Sequence, residues 1–267
     1  MVKYIKNILK QKRLFIMYYS LGTFLYTLLL VTTFPSVLNQ SKSYNKILTS
    51  LPKVMLKAFG ISAQNKLTLL TYLGGKYIDL FLPIILIFFI VSFCNSQIVG
   101  PIEDKTIGLV LSMPISRFKI FISKYISGII ALIIFIIFAV ILIIPLASIE
   151  NFKYSTLDIY LISILTFIFG ISILSFSFFI SSLFSSRGKS TMIIASTIFV
   201  MYVFNVVYSL SSSLKLLKYF SIFYYYNINY IFQNSNIKIS SFIVFISVFI
   251  VFLLLGIFVF LKRDIEI

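Results

Sequence analysis

Six long stretches of this chain carry no charged residue, and each is long enough to cross a bilayer. They cover residues 14–41, 80–102, 125–149, 159–186, 190–214 and 239–261. A helix rising about 1.5 Å per residue crosses a hydrocarbon core of roughly 30 Å in about 20 residues. Only helices and closed barrels satisfy every backbone polar group inside lipid, and runs of this length select helices. A content of 60% hydrophobic residues exceeds what a water-soluble core of this size needs. The reading is all-α: a polytopic membrane protein with six transmembrane helices. They are expected at about 14–36, 78–100, 122–147, 158–184, 190–211 and 239–261, in a single transmembrane domain spanning 1–267.

Composition removes several classes of function. Histidine is absent, which excludes a histidine-based metal site or catalytic base. The single cysteine, Cys94, allows no disulfide within the chain and sits in an apolar run, where it reads as a small packing residue. No Gly-x-x-x-x-Gly-Lys-Ser/Thr phosphate loop is present, and no Gly-x-Ser-x-Gly elbow or intramembrane aspartate pair suggests a membrane enzyme. The formal charge is +16, from 23 basic and 7 acidic residues. Because the bases lie between apolar spans, membrane lipid is the expected anionic partner and nucleic acid is not. The first apolar run exceeds the 7–15 residues of a signal-peptide core, so it reads as a retained span.

Charge also orients the chain. The four arginines are Arg13, Arg117, Arg187 and Arg263. With the N-terminus in the cytoplasm, all four fall on the cytoplasmic side, where basic residues are retained. Lysines soften the bias to 13 basic residues inside against 10 outside. The expected location is a bacterial plasma membrane, with both termini cytoplasmic.

Three segments read as surface elements. Before the first span, Val2, Ile5 and Leu9, with Ile8, share one helical face while Lys3, Lys6 and Lys10 face away, the pattern of an interfacial amphipathic helix. In the first outer loop Ile47, Leu51, Met55 and Phe59 recur every four residues. That pattern suggests a helix from about Ser50 to Gly60, either capping a pathway or lying passively on the surface. Between the last two spans, 211–238 carries Tyr224, Tyr225 and Tyr226, which read as an aromatic belt at the head groups.

The most informative polar segment joins the second and third spans, at 100–124. Gly100-Pro101 should break the second helix. Thr106 could cap a short helix with Ile107, Val110 and Leu111 on its apolar face, which Pro114 stops. Ser116 could cap the next helix. This string resembles the membrane-spanning permease subunits of ABC transporters of the type-2 export class. Those carry an acidic residue, Gly-Thr, a Leu-Leu-Ser-x-Pro-Ile/Val-Ser-Arg stretch and a lysine leading into the third helix. Glu103, Thr106, Leu111, Ser112, Pro114, Ile115, Ser116, Arg117 and Lys124 match that order. Lys105 stands where glycine is usual, and Val110 replaces the first leucine.

The resemblance implies that the short cytoplasmic helix between helices 2 and 3 is a coupling helix. Glu103, Thr106, Ile107, Leu111, Ser112, Pro114, Ser116 and Arg117 would couple it to a separate cytoplasmic ABC ATPase subunit. Glu103 and Arg117 would make polar contacts across that interface or fix the loop; the plainer reading is a charged cytoplasmic turn. It further implies an ATP-driven exporter, not an enzyme in itself, whose path is formed with a second permease chain as a homodimer or heterodimer. No cofactor is expected in this chain, ATP being bound by the partner. The implied substrate is an amphipathic peptide, antibiotic or lipid-like molecule. The alternatives are an ion-coupled carrier or channel, or a non-catalytic membrane anchor.

Polar residues within the spans are few. Asp79 is expected at the outer end of the second helix beside Lys76, where both stay hydrated, with Asp158 and Glu150 beside the second outer loop. Because intramembrane charges usually mark ion pathways, their scarcity argues for an external energy source. Ser163, Ser172, Ser175, Ser177, Ser181 and Ser182 with Gly170 form either a packing stripe or a substrate-facing one.

Overall fold

A computed structural model describes residues 1–39, 68–108, 115–210 and 212–263. Six helices among them are long and apolar enough to cross a membrane: Arg13–Asn39, Phe81–Glu103, Arg117–Ile149, Thr156–Leu183, Arg187–Tyr208 and Ile239–Lys262, here the first to sixth spans. No strand occurs among the described residues. The all-α, six-span architecture expected from the apolar runs is therefore the architecture found.

The fourth span is the hub, packing along the sixth and against the second, third and fifth. Its serines and glycine explain why. Ser172, Ser175, Ser177, Ser181 and Ser182 are fully buried, and small side chains let helices approach closely. At Gly170 an added Cβ would lie 2.9 Å from Leu132 of the third span, so only glycine admits that contact without displacement. Ser175 shares a 2.7 Å hydrogen bond with Tyr125 across the same interface. Ser172 and Ser182 instead donate to carbonyls of their own helix, Phe169 and Phe178.

The remaining polar groups sort the molecule into two ends. One end holds the start of the third and fifth spans and the close of the second, fourth and sixth. The N-terminal helix, Val2–Gln11, packs there against the third span. Its packed face is Ile8 with Tyr4 and Leu9, and Lys3, Lys6 and Lys10 are exposed. Val2, expected on that apolar face, is 80% exposed because it sits in the first turn, at the free tip of the helix.

At the opposite end, Phe34 packs against Tyr72 and Phe152 at ring centroid separations of 5.3 and 5.1 Å. Two π-turns meet beneath them, Gly74–Ile78 before the second span and Ile137–Ile141 within the third. Such turns disturb the regular helical ladder. The Tyr77 hydroxyl donates to the Ala139 carbonyl at 3.0 Å, pinning one to the other.

Three expectations change here. The segment between the fifth and sixth spans is not a simple belt. It folds into a 3₁₀ stretch, Ser212–Phe220, and two short helices, Ile222–Tyr225 and Ile228–Asn234, which tuck back onto the bundle. Ile228 and Ile231 are fully buried, and Tyr226 bonds to Thr166 at 3.0 Å and packs on Phe169, so it belongs to the core. Tyr225 is buried as well, while Tyr219 remains 60% exposed. Asp79 is not hydrated at both oxygens: Oδ2 is buried and has no hydrogen-bond partner among the described residues. The helical path begins before the uncharged run, at Leu69, which carries Asp79 inward. The helix break expected at Gly100-Pro101 falls earlier, at Ile98, and both residues lie inside the short helix Val99–Glu103. Proline clashes with the carbonyl four residues before it, which here is Gln97, so the distortion appears upstream of the ring. The helix expected from about Ser50 to Gly60 lies outside the described residues.

Candidate functional site

Pro101 creates the local demand around which this site is built. Lacking an N–H, it cannot donate to the Gln97 carbonyl, as a residue four places on would in a regular helix. Lys124 of the third span reaches across instead, and its ammonium donates to the Gln97 oxygen at 2.7 Å. Lys124 is 2% exposed, the cost of burying its charge being offset by a strong charge-assisted bond to a carbonyl otherwise left without that donor. The lysine at the start of the third span is thus tied to the proline at the end of the second.

The second span ends at Glu103, and the chain turns through Asp104 and Lys105. Lys105 has φ of 54°, the left-handed conformation that follows many helix ends. A side chain with a Cβ pays about 1–2 kcal/mol there relative to glycine's freedom. This gives a physical reason for glycine at this point and identifies Lys105 as a strained substitute. Thr106 follows, exposed, with its N–H donating to the Pro101 carbonyl at 2.9 Å. Ile107 is 1% exposed, so it is buried within this chain rather than presented to solvent. Leu111, Ser112 and Pro114 lie outside the described residues. Ser116 caps the third span, its hydroxyl accepting from the Lys119 N–H at 3.4 Å.

Arginines hold both ends of this turn. Arg187, at the start of the fifth span, pairs through Nε with Glu103 Oε2 at 3.2 Å and through Nη2 with Asp104 Oδ2. The Arg187 backbone N–H also donates to Glu103 Oε2 at 3.3 Å, so a carboxylate sits at a helix N-terminus, where the backbone dipole favours it. These side chains are about half exposed, and screened pairs of that kind contribute at most about 1 kcal/mol each to stability. Their consequence is positional. Gly100 leaves room for the guanidinium, since an added Cβ would lie 3.1 Å from Arg187 Nη2. Lys12, at the close of the N-terminal helix, is near enough that burial, and after it the Arg187 charge, lowers its ammonium pKa.

On the other side of the turn, Arg117 Nη1 donates to the Arg263 carbonyl at 2.9 Å. Arg263 in turn caps the end of the fourth span. Its Nη1 donates to the Ser182 and Phe184 carbonyls at 2.7 and 3.0 Å, and its Nη2 to Ser185 Oγ at 2.6 Å. Beneath these clamps a neutral network joins the second, fourth and fifth spans: Asn95 donates to Thr191 at 2.6 Å and accepts from Ser181 at 3.1 Å.

Glu103 and Arg117 are therefore brought into one assembly and engaged within the chain, whereas Thr106 is presented outward. Sequence reasoning missed Asp104, Lys124's carbonyl partner, Arg187 and Arg263 as parts of this site. The available signal was that each of the last three arginines stands at a helix end on one side of the bundle.

The arrangement has the parts of a mechanical junction: a turn whose two ends are pinned to three other helix ends, those of the fourth, fifth and sixth spans. No curated protein shows a matching sequence. The model of the family described as ABC-2 family transporter protein matches residues 4–265. With nearly its whole length so matched, and with six helices long and apolar enough to span a membrane, the chain belongs to the ABC-2 transporter family and is the permease component of an ABC transporter.

Proposed function

We propose that the turn from Glu103 to Arg117 is the docking and coupling element for a separate ATP-binding subunit, and that the end carrying the arginines faces the cytoplasm. Two permease chains, identical or different, enclose the path, each over one ATP-binding subunit. The cargo is amphipathic, a peptide, antibiotic or lipid-like molecule, moved outward. Glu103, Thr106, Ile107, Leu111, Ser112, Pro114, Ser116 and Arg117 are the residues assigned to this coupling, with Thr106 exposed for contact.

The observation that carries this reading is the double clamp. A displacement of the Glu103 end of the turn pulls on Arg187 through Glu103 and Asp104, and so on the fifth span. A displacement of the Arg117 end pulls on Arg263, and so on the fourth and sixth. Lys124 joins the second and third spans below it. One push therefore reaches five spans through directional hydrogen bonds, which is what coupling ATP-driven closure to helix movement requires.

The test is ATP hydrolysis by the co-purified ATP-binding subunit, with and without this chain. Removing residues 107–111 should abolish the stimulation while the chain keeps its place in the membrane. Stimulated hydrolysis and transport that survive the removal would end the assignment.

A further inference from the structure

A cavity of about 140 Å³ lies between the fourth, fifth and sixth spans and the tucked-in segment, at the end away from the arginines. Its walls include Ile173, Met201, Val248 and Phe252, and Tyr219 and Phe220 stand at its edge, 60% and 67% exposed. It is apolar and open beside exposed aromatic rings, a residue type that favours the head-group level.

Two polar features lie in or next to the segment that walls it. Lys218 Nζ and Lys238 Nζ each lie 5.7 Å from the centroid of the Tyr224 ring, so the two ammoniums are at most twice that distance apart. They come from different segments, the 3₁₀ stretch and the start of the sixth span. No acidic residue occurs between Asp158 and Asp264, and no ion pair reaches either lysine among the described residues. Like charges brought together without a counter-ion favour an anion between them. The second feature is Ser221. It lines the cavity, is 1% exposed, and its hydroxyl has no hydrogen-bond partner among the described residues. A buried hydroxyl left unpaired is costly, so a ligand acceptor at that point is favoured.

We propose that this crevice holds one anionic phospholipid of the surrounding leaflet. Part of an acyl chain fills the space among Ile173, Met201 and Val248. The phosphate sits between Lys218 and Lys238, and an ester carbonyl accepts from Ser221. The occupant is a lipid rather than a free phosphate because the cavity wall is apolar, while Lys218 and Tyr224 directly adjoin the lining residues Tyr219 and Tyr225 in the chain. Membrane lipid is also the one ligand present at every such protein at high local concentration. The bound lipid would stitch the tucked-in segment to the sixth span.

Full-length protein in detergent, titrated with phosphatidylglycerol or with phosphatidylcholine of identical tails and read by native mass spectrometry, tests this. Phosphatidylglycerol should be retained about thirtyfold better, about fivefold for each lysine. Lys218→Ala with Lys238→Ala should erase the preference, and the paired arginine substitutions should keep it. A photoreactive group in the phosphatidylglycerol tail should label Ile173, Met201 or Val248. The proposal fails if both lipids are retained equally, or if the double alanine variant keeps the preference. It also fails if label falls only on outward residues such as Phe199, or if the cavity yields a peptide in place of a phospholipid.

Discussion

At the end where the second and third spans meet, guanidinium groups do the holding: Arg187 on two carboxylates, Arg263 on two carbonyls and a hydroxyl, Arg117 on the Arg263 carbonyl. At the other end there is no arginine, and rings and neutral hydroxyls take that place, as in Tyr77 on Ala139, Tyr226 on Thr166 and Phe34 between Tyr72 and Phe152. A planar guanidinium presents several donors in a fixed fork and so fixes distances among helix ends. Ring contacts are individually about 0.5–1.5 kcal/mol and tolerate sliding. One end is suited to transmitting a displacement and the other to repacking when it arrives.

The largest expected break in that contrast is Arg187→Glu. It sets a third carboxylate against Glu103 and Asp104, and should reduce stimulated ATP hydrolysis at least about tenfold, since facing like charges cost several kcal/mol before screening. Adding Glu103→Arg should restore a good part of the loss. Full activity in the single variant would remove the clamp from the account.

A double-mutant cycle sharpens the comparison at Gln97. Pro101→Ala supplies the missing N–H, so Lys124→Met should cost about 1–3 kcal/mol less in that background than in the wild type. Unfolding in mixed micelles measures it, and strict additivity would show that Lys124 does not serve the Gln97 carbonyl. At the opposite end, Gly74→Val should cost about 1–3 kcal/mol, because an added Cβ would lie 2.6 Å from the Phe232 ring. Stimulated hydrolysis should fall far less than with Arg187→Glu; an equal fall would erase the functional distinction between the two ends. The smallest effect is a gain. Lys105→Gly should stabilise by about 1 kcal/mol by relieving the left-handed backbone, and a loss of stability would mean that the lysine side chain contributes more than its strain.

These predictions separate what the chain announces from what it conceals. The six spans were legible because uninterrupted apolar runs of bilayer length have few other uses, and Ser116 announced a helix start by its side chain. Tyr224, Tyr225 and Tyr226 were not legible, since a tyrosine looks the same whether its ring meets lipid or, like Tyr226, closes over Phe169. Asp79 misled because the helical path starts before the apolar run does. Of the turn itself, the match from Glu103 to Lys124 was visible in residue order, but its clamps were not. Arg263 and Lys124 bind backbone carbonyls, which every residue carries, so no partner residue marks them. The glycine usually found at the position of Lys105 acquires its reason only from the φ of 54°.

The central claim is that the arginine-held turn meets the ATP-binding subunit. A photo-cross-linking residue placed at Thr106, and in parallel at Tyr219 of the opposite end, tests it most directly, because both side chains are exposed. The account predicts a cross-link to the ATP-binding subunit from position 106 and none from position 219. A cross-link from 219, or silence at 106 in a complex that still hydrolyses ATP, would contradict it.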